Sequence, residues 1–156
     1  MERVMDVDPN IYLTHSPHNS ALNLKLPKIG KGSVTMEMPY QEKLVGDPET
    51  GVIAGGAVTS LLDTACGLAV FTNLSEMRAI STIDIRIEYL RTATPHKSIL
   101  ATAECYRITR HVAFVRATAY HEGGPESEHI AHANAIFSIS ALKIAEIAPE
   151  LTGGAL

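Results

Sequence analysis

One carboxylate lies in the middle of an otherwise apolar stretch of the chain. The segment Gly51–Phe71, GVIAGGAVTSLLDTACGLAVF, contains a single charged side chain, that of Asp63. Such a carboxylate could take a proton from water or attack an electrophilic carbon directly. An acid inside a helix, where it caps neither end, favours a functional role. The alternative is a structural carboxylate bonded to a neighbour such as Ser60 or Thr64, because an unpaired buried carboxylate is costly.

Two adjacent glycines stand at the expected start of the same helix. The first N–H groups of a helix have no partner within it, and the helix dipole is positive there. Because Gly55 and Gly56 lack side chains, a carbonyl group could approach their N–H groups closely. Donors of this kind stabilise the oxyanion that forms when a carbonyl carbon is attacked. Close packing of the helix against another element would also explain the two glycines.

The spacing of these groups predicts a site shared between two subunits. Gly55 and Asp63 are eight residues apart, which is roughly 12 Å along a helix that rises about 1.5 Å per residue. They cannot both reach one carbonyl group unless the helix bends sharply. Two antiparallel helices that cross at a twofold axis would instead bring Asp63 of one subunit to Gly55 of the other. We therefore expect a homodimer with composite sites.

The patterns around this helix predict an α+β protein with an antiparallel sheet. The helix is expected from about residue 55 to 71 or slightly beyond, after a loop at 46–50, and NLSEM closes it. A helix that is apolar on nearly all faces needs cover all round, which a curved sheet would provide. Short connectors, TRH and GGPES, favour hairpins within a four-stranded meander after the helix. The predicted strands are STIDIRIEYLR, ILATAECYRI, VAFVRATAYHE and HIAHANAIFSIS.

The segments before and after this core are shorter and more mixed. A short helix is expected at 10–15, and strands at 21–26 and 33–38, separated by the turn-forming KIGKG. Pro39 is expected to end the second strand. KIAEIAPEL is expected to form one or two helical turns, followed by a frayed TGGAL tail.

Alternation along the predicted strands assigns side chains to the two faces of the sheet. In the first strand after the helix, alternation predicts that one face carries Ile83, Ile85, Ile87 and Tyr89. His129 and His132 are three residues apart, which on a strand puts them on opposite faces. A metal site formed by this pair with His121 is therefore disfavoured, and we expect no metal.

Composition and charge favour one folded domain of the cytoplasm. The chain has 156 residues, of which 46% are apolar and 19% charged, and we expect a single domain over residues 1–156. The net charge is −4 without a basic stripe, which argues against nucleic acid. The acidic start lacks the apolar core of a signal peptide, and Cys66 and Cys105 are expected to be reduced core residues. Polar residues and glycines in Gly51–Phe71 argue against a membrane span.

These features resemble the hotdog-fold thioesterases, and most closely the acyl-CoA thioesterases of the phenylacetyl-CoA (PaaI-like) type. In that family a His-Gly-Gly triplet opens the helix and the acid follows nine residues after the His. Here the triplet reads Ala54-Gly55-Gly56, with Asp63 at that spacing. TIDIRIEYLRTA and SILATAECYRITRHVAFVRATAY resemble the strands that follow, and the resemblance covers about residues 20–141. It implies a curved antiparallel sheet wrapped around one long apolar helix.

The resemblance also implies an activity and roles for particular residues. It implies hydrolysis of acyl-CoA to free acid and coenzyme A, without a cofactor, by a homo-oligomer that is a dimer or a dimer of dimers. Asp63 would be the base or nucleophile, and Thr82 would face it from the next strand. Asp47 stands where the family has a polar loop residue, often Asn, and it would either contact substrate or serve only as a turn residue. The coenzyme A phosphates could be held by Arg110 and His111 near a predicted turn, with Arg107, Arg91 and Lys97, unless these form an ordinary solvated charge cluster.

Two other functions remain open on the sequence. A hydroxyacyl-thioester dehydratase on the same fold usually pairs a His with the acid of the helix, and Ala54 occupies that position here. A protein that binds acyl-CoA without turnover, or an assembly module, could also use this scaffold. Retained thioester binding without thiol release would identify the latter.

Overall fold

The computed structural model describes residues 9–125, 128–147 and 149. A short 3₁₀ turn at Glu42–Leu44 precedes the first of two small strands. The helices and strands are, in chain order, α1 (Pro9–His15), α2 (Pro17–Ala21), β1 (Lys25–Gly30), β2 (Ser33–Met38), β3 (Val45–Asp47), β4 (Val52–Ile53), α3 (Gly55–Asn73), β5 (Arg78–Tyr89), β6 (Ile99–Ile108), β7 (Val112–Tyr120), β8 (Ala131–Lys143) and α4 (Ile144–Ile147).

Six strands form one antiparallel sheet in the order β1-β2-β6-β7-β8-β5, and α3 packs against five of them. The α+β prediction is therefore confirmed, as are the start of the helix at Gly55, the end of β2 before Pro39 and the bounds of β6. By length and composition α3 could cross a membrane, but 61% of that stretch is buried inside the protein. It is the core helix around which the sheet is assembled.

The predicted four-stranded meander is wrong for its first strand. β6, β7 and β8 pair in sequence, but β5 pairs with β8 at the far edge of the sheet. The connection between β5 and β6 is longer than a hairpin turn and contains His96 in the left-handed region, with φ of 60°. This loop carries the chain from one edge strand back to the centre of the sheet.

The strand expected at 21–26 is also wrong at its start, because the chain forms α2 there. Ser16 is the N-cap of α2, and its hydroxyl accepts a hydrogen bond from the backbone N–H of Asn19. Pro17 occupies the first helical turn, where it is favoured. Asn23 then adopts the left-handed conformation, with φ of 52°, and β1 begins at Lys25.

A bulge in β5 changes which side chains face the helix. Thr82 pairs with Phe137 and Asp84 with Ile136, so Ile83 has no partner of its own in the ladder. Ile83 is 59% exposed, and the prediction that it shares a face with Ile85 and Ile87 is wrong. Ile85 and Ile87 pack against the core. The extra residue moves Thr82 onto the inner face, opposite to what strict alternation gives.

The end of the chain agrees with the prediction as far as it is described. KIAEIAPEL contributes one helical turn, α4, which follows β8 directly. The TGGAL tail, predicted to be frayed, lies outside the described residues.

Candidate active site

The carboxylate of Asp63 is half-buried in the middle of α3 and is held by the neighbouring strand. The hydroxyl of Thr82 donates to Asp63 Oδ1 over 2.9 Å. The two local partners suggested by the sequence bond elsewhere: Ser60 Oγ donates to Gly56 O at 3.1 Å, and Thr64 Oγ1 to Asn19 Oδ1 at 3.4 Å. Within the described ranges, no hydrogen bond to Asp63 Oδ2 accompanies this one.

The first turn of α3 leaves backbone donors free. Ala54 is the N-cap, its side chain caps nothing, and its own N–H donates to Leu44 O at 2.8 Å. In the described part of the chain, the N–H groups of Gly55 and Gly56 have no acceptor. A Cβ added at Gly56 would meet no heavy atom within 4 Å. Packing within the chain therefore does not explain this glycine, and a ligand has access to the helix start.

Tyr89 closes one side of the same turn, a role that sequence reasoning missed. Its hydroxyl donates to Gly55 O at 2.6 Å and lies 2.8 Å from Thr59 Oγ1. The side chain borders a groove of about 410 Å³ whose lining includes Ile53, Val58, Arg91 and Ala93. Strand alternation places Tyr89 on the inner face, but no local pattern indicates that it reaches a helix start 34 residues earlier.

The negative charge of Asp63 acts on two neighbours that stay protonated. Burial raises the pKa of Cys66 to about 12, and the charges of Asp63 and Cys105 add to this rise. Burial also raises the pKa of Tyr12, and the charge of Asp63 makes a smaller contribution to this rise. A Cβ added at Gly67 would lie 3.4 Å from the Tyr12 hydroxyl. Both cysteines are free, as expected, and with a raised pKa neither is a thiolate nucleophile at neutral pH.

Asp47 acts as a turn residue next to the helix start. Its Oδ2 accepts from Thr50 Oγ1 at 2.7 Å, and its Oδ1 from the N–H of Glu49 at 3.1 Å. The hairpin that contains it packs tightly on α3, since a Cβ added at Gly46 would lie 2.9 Å from Ala54 Cα. The structure thus places Asp47 beside the site, and its contact with substrate stays a prediction.

Arg110 and His111 lie far from Gly55 within one chain. They belong to the exposed turn between β6 and β7, which Thr109 closes through its bonds to Val112. That turn is at the end of the sheet where Thr82 pairs with Phe137, whereas Tyr89 and the helix start are at the other end. The two ends are about 20 Å apart along a strand that rises about 3.3 Å per residue. The cations are therefore on the Asp63 side of the molecule.

The histidines near β8 are arranged differently from the prediction. His129 precedes the strand, and its Nδ1 lies 3.2 Å from Nε2 of His132, so the two rings meet rather than face opposite ways. Both ring nitrogens of His121 are bonded, to the N–H of Thr94 and to Ser98 O. Among the residues described, no three His, Cys, Asp or Glu side chains are grouped as metal ligands.

Comparisons with known proteins agree with this arrangement. Residues 50–128 match the thioesterase superfamily. The medium/long-chain acyl-CoA thioesterase YigI of Escherichia coli K12 is 28% identical over 151 residues, which cover 88% of this chain and 95% of the relative.

Solved structures of known proteins share the fold. A Pseudomonas aeruginosa protein is 36% identical, with a TM-score of 0.73, over 81% of this chain and 93% of its own. The E. coli PaaI protein from the phenylacetic acid degradation operon has a TM-score of 0.75 over 86% of this chain and 92% of its own. At 15% identity it supports the fold alone. Since the superfamily match runs from the loop before α3 through β7, the chain belongs to the thioesterase superfamily and is a thioester hydrolase with the hotdog fold.

Proposed function

We propose that this protein hydrolyses acyl-CoA thioesters to a free acid and coenzyme A, with Asp63 as the catalytic carboxylate. The observation that carries the proposal is the half-buried Asp63, of which one oxygen is bonded by Thr82 and the other has no hydrogen bond among the described residues. A carboxylate held in this way can activate a water or attack the thioester carbon. The similarity to a relative named as a medium/long-chain acyl-CoA thioesterase supports acyl-CoA as the substrate.

The first turn of α3 would stabilise the oxyanion. The N–H groups of Gly55 and Gly56 are open, and they lie at the positive end of the helix dipole. The peptide that carries the Gly56 N–H also carries the Gly55 carbonyl, to which Tyr89 donates. A hydrogen bond to that oxygen polarises the peptide and makes its N–H a stronger donor. Tyr89 therefore supports the oxyanion site through Gly55.

The complete site would form across two subunits. α3 is one helix from Gly55 to Asn73, so no sharp bend brings Asp63 to Gly55, and antiparallel α3 helices of a dimer would do so. The long edge strand β5 and its end support a partner there, because edge strands with exposed apolar side chains favour association. Ile83, Tyr89 and Leu90 are 59%, 50% and 53% exposed. Such dimers could pair further into a tetramer.

The remaining predicted residues fit this arrangement as substrate contacts. Arg110 and His111 lie on the Asp63 side of the molecule, where the phosphates of coenzyme A could reach them. Asp47 follows Gly46, which packs against the N-cap residue Ala54, and would contact the substrate near the helix start. The free Cys66 and Cys105 support a cytoplasmic location, and a single domain over residues 1–156 stays a prediction.

The first experiment compares thiol release from short, long and aryl acyl-CoAs by the wild type and by Asp63→Asn. Asparagine keeps the size of the side chain and its bond to Thr82 but is not a base, so we expect a loss of about 100-fold or more in kcat. Equal turnover in both proteins would leave Asp63 a structural residue. Acyl-CoA binding, seen as a raised melting temperature, without turnover in either would favour the binding protein.

The composite site can be tested by mixing two inactive variants. Asp63→Asn and Gly56→Val each damage both sites of their own homodimer, but a heterodimer keeps one site with Gly56 and Asp63 intact. Refolding an equal mixture should then restore roughly a quarter of wild-type activity if each site spans the twofold axis. No recovery, in a mixture shown to contain heterodimers, would place the whole site within one chain.

A further inference from the structure

The short helix α2 is attached to the site face of α3 by two side-chain hydrogen bonds one turn apart. His18 Nε2 lies 3.0 Å from Ser60 Oγ, and Thr64 Oγ1 donates to Asn19 Oδ1 at 3.4 Å. Asn19 is only 6% exposed, so this end of α2 is anchored in the core. The imidazole of His18 is itself exposed, and it is thus held in place with one edge open to a ligand.

Ser60 lies on the same face of α3 as the groups proposed to react. Gly56, Ser60 and Asp63 are spaced i, i+4 and i+7, which aligns them along one side of the helix. Ser60 is one turn from each of the other two. In a dimer of antiparallel α3 helices the twofold axis would pass close to residue 60, so Ser60 and the imidazole bonded to it would lie about one turn from each composite site.

The bonds of Ser60 decide how His18 presents its nitrogens. When the Ser60 hydroxyl donates to Gly56 O at 3.1 Å, its oxygen can accept from a protonated Nε2 of His18, 3.0 Å away. Nδ1 is left on the other edge of the ring. A protonated imidazole would then keep its bond to Ser60 and offer the Nδ1–H to a ligand.

On the basis of the proposed hydrolysis of acyl-CoA, we propose that His18 is a further catalytic residue, the general acid that protonates the departing sulfur. The water oxygen bonds to the thioester carbon while Asp63 takes a water proton and the carbonyl π electrons move to oxygen, which becomes the oxyanion. The oxyanion then re-forms the carbonyl, the carbon–sulfur bond breaks, its electron pair goes to sulfur, and the Nδ1–H proton of His18 passes to sulfur. Solvent returns a proton to the imidazole and removes the one on Asp63. Ser60 is the positioning residue that aims the ring.

The leaving group distinguishes this role from a purely structural one. Coenzyme A is an alkyl thiol and benefits from protonation as it leaves, whereas an arylthiol such as thionitrobenzoate leaves unaided as the thiolate. The test measures hydrolysis of one acyl group carried on each of the two thiols, by the wild type and by His18→Gln. The amide of glutamine can still donate a hydrogen bond to Ser60, but it cannot give up a proton to the departing sulfur. His15→Ala is the matched control, since His15 is an exposed histidine of the same segment.

We expect His18→Gln to lower kcat for the acyl-CoA by about 100-fold and to leave KM and the arylthiol rate unchanged. Asp63→Asn should lose activity on both esters, and His15→Ala on neither. An equal loss on both esters in His18→Gln would show that His18 positions other groups and is not the general acid. No loss on either ester would show that His18 has no part in the reaction. If the wild type hydrolyses the aryl ester but not acyl-CoA, the proposed substrate fails, and this proposal with it.

Discussion

The two sides of α3 are built for different purposes. Leu61, Ala65 and Leu68 are spaced i, i+4 and i+7 and are each 0% exposed. Gly56, Ser60 and Asp63 repeat the same spacing on the opposite side, where side chains are open or half-buried and bond to α2 and β5. Burial on one side holds the helix in place. The other side can then keep a charged oxygen and two backbone donors that have no partner among the described residues, which an isolated helix could not orient.

The largest expected effect is on stability and comes from the buried side. Leu61→Ala removes a fully buried side chain opposite Asp63 and should lower the free energy of unfolding by about 2–5 kcal/mol. Urea denaturation measures this, with activity per folded molecule as the second readout. Because Leu61 lies on the side of α3 opposite Asp63, we expect kcat of the folded protein to stay near that of the wild type. A large fall in kcat at full folding would show that the two sides of the helix are coupled.

The open side should respond in the reverse way. Gly56→Ala adds a Cβ that meets no atom of the chain within 4 Å, so the stability of the subunit should not fall. The methyl group stands where a substrate carbonyl must approach the N–H donors, and we expect a loss of about 100-fold in kcat/KM. Melting temperature and steady-state kinetics together test this. Unchanged kinetics would show that the N–H of Gly56 is not part of the oxyanion site.

Much of this contrast could be predicted from the sequence because it depends on local pattern. The start of α3 follows from the glycines after a turn, and the need for a bonded Asp63 follows from burial. The partner, Thr82, was placed only through a family resemblance. Strict alternation puts Thr82 on the same face as Asp84, and the bulge at Ile83 reverses this. A bulge is decided by the pairing of two strands, here β5 with β8, which no local pattern reveals.

The polar contacts of α2 illustrate a second limit of sequence reasoning. Ser16-Pro17 carries the signals of an N-cap and a first helical turn, so this helix could have been recognised. Its docking on α3 through His18 and Asn19 joins residues more than 40 positions apart. Such contacts depend on tertiary packing, and they supply the side chain proposed here as the general acid.

Cys66 lies between the buried and the reactive side of α3, because it is fully buried and its pKa responds to the charge of Asp63. Its pKa rises from 9.0 to about 12 in the folded protein, so between these pH values the unfolded chain loses the thiol proton and the folded chain keeps it. The folded state then binds more protons, and stability falls as pH rises, by up to about 1.4 kcal/mol per pH unit.

Urea midpoints measured between pH 8 and 10 should show this fall beginning near pH 9, with the full contribution of Cys66 present below it. Cys66→Ala should be less stable at all pH values but should lose part of the slope, while the raised pKa values of Tyr12 and Cys105 maintain the rest. An identical slope in the variant would mean that the thiol titrates alike in both states. The interior beside Asp63 would then be hydrated. The boundary between the buried and the reactive side of α3 would lie closer to the buried side than the exposure of the residues indicates.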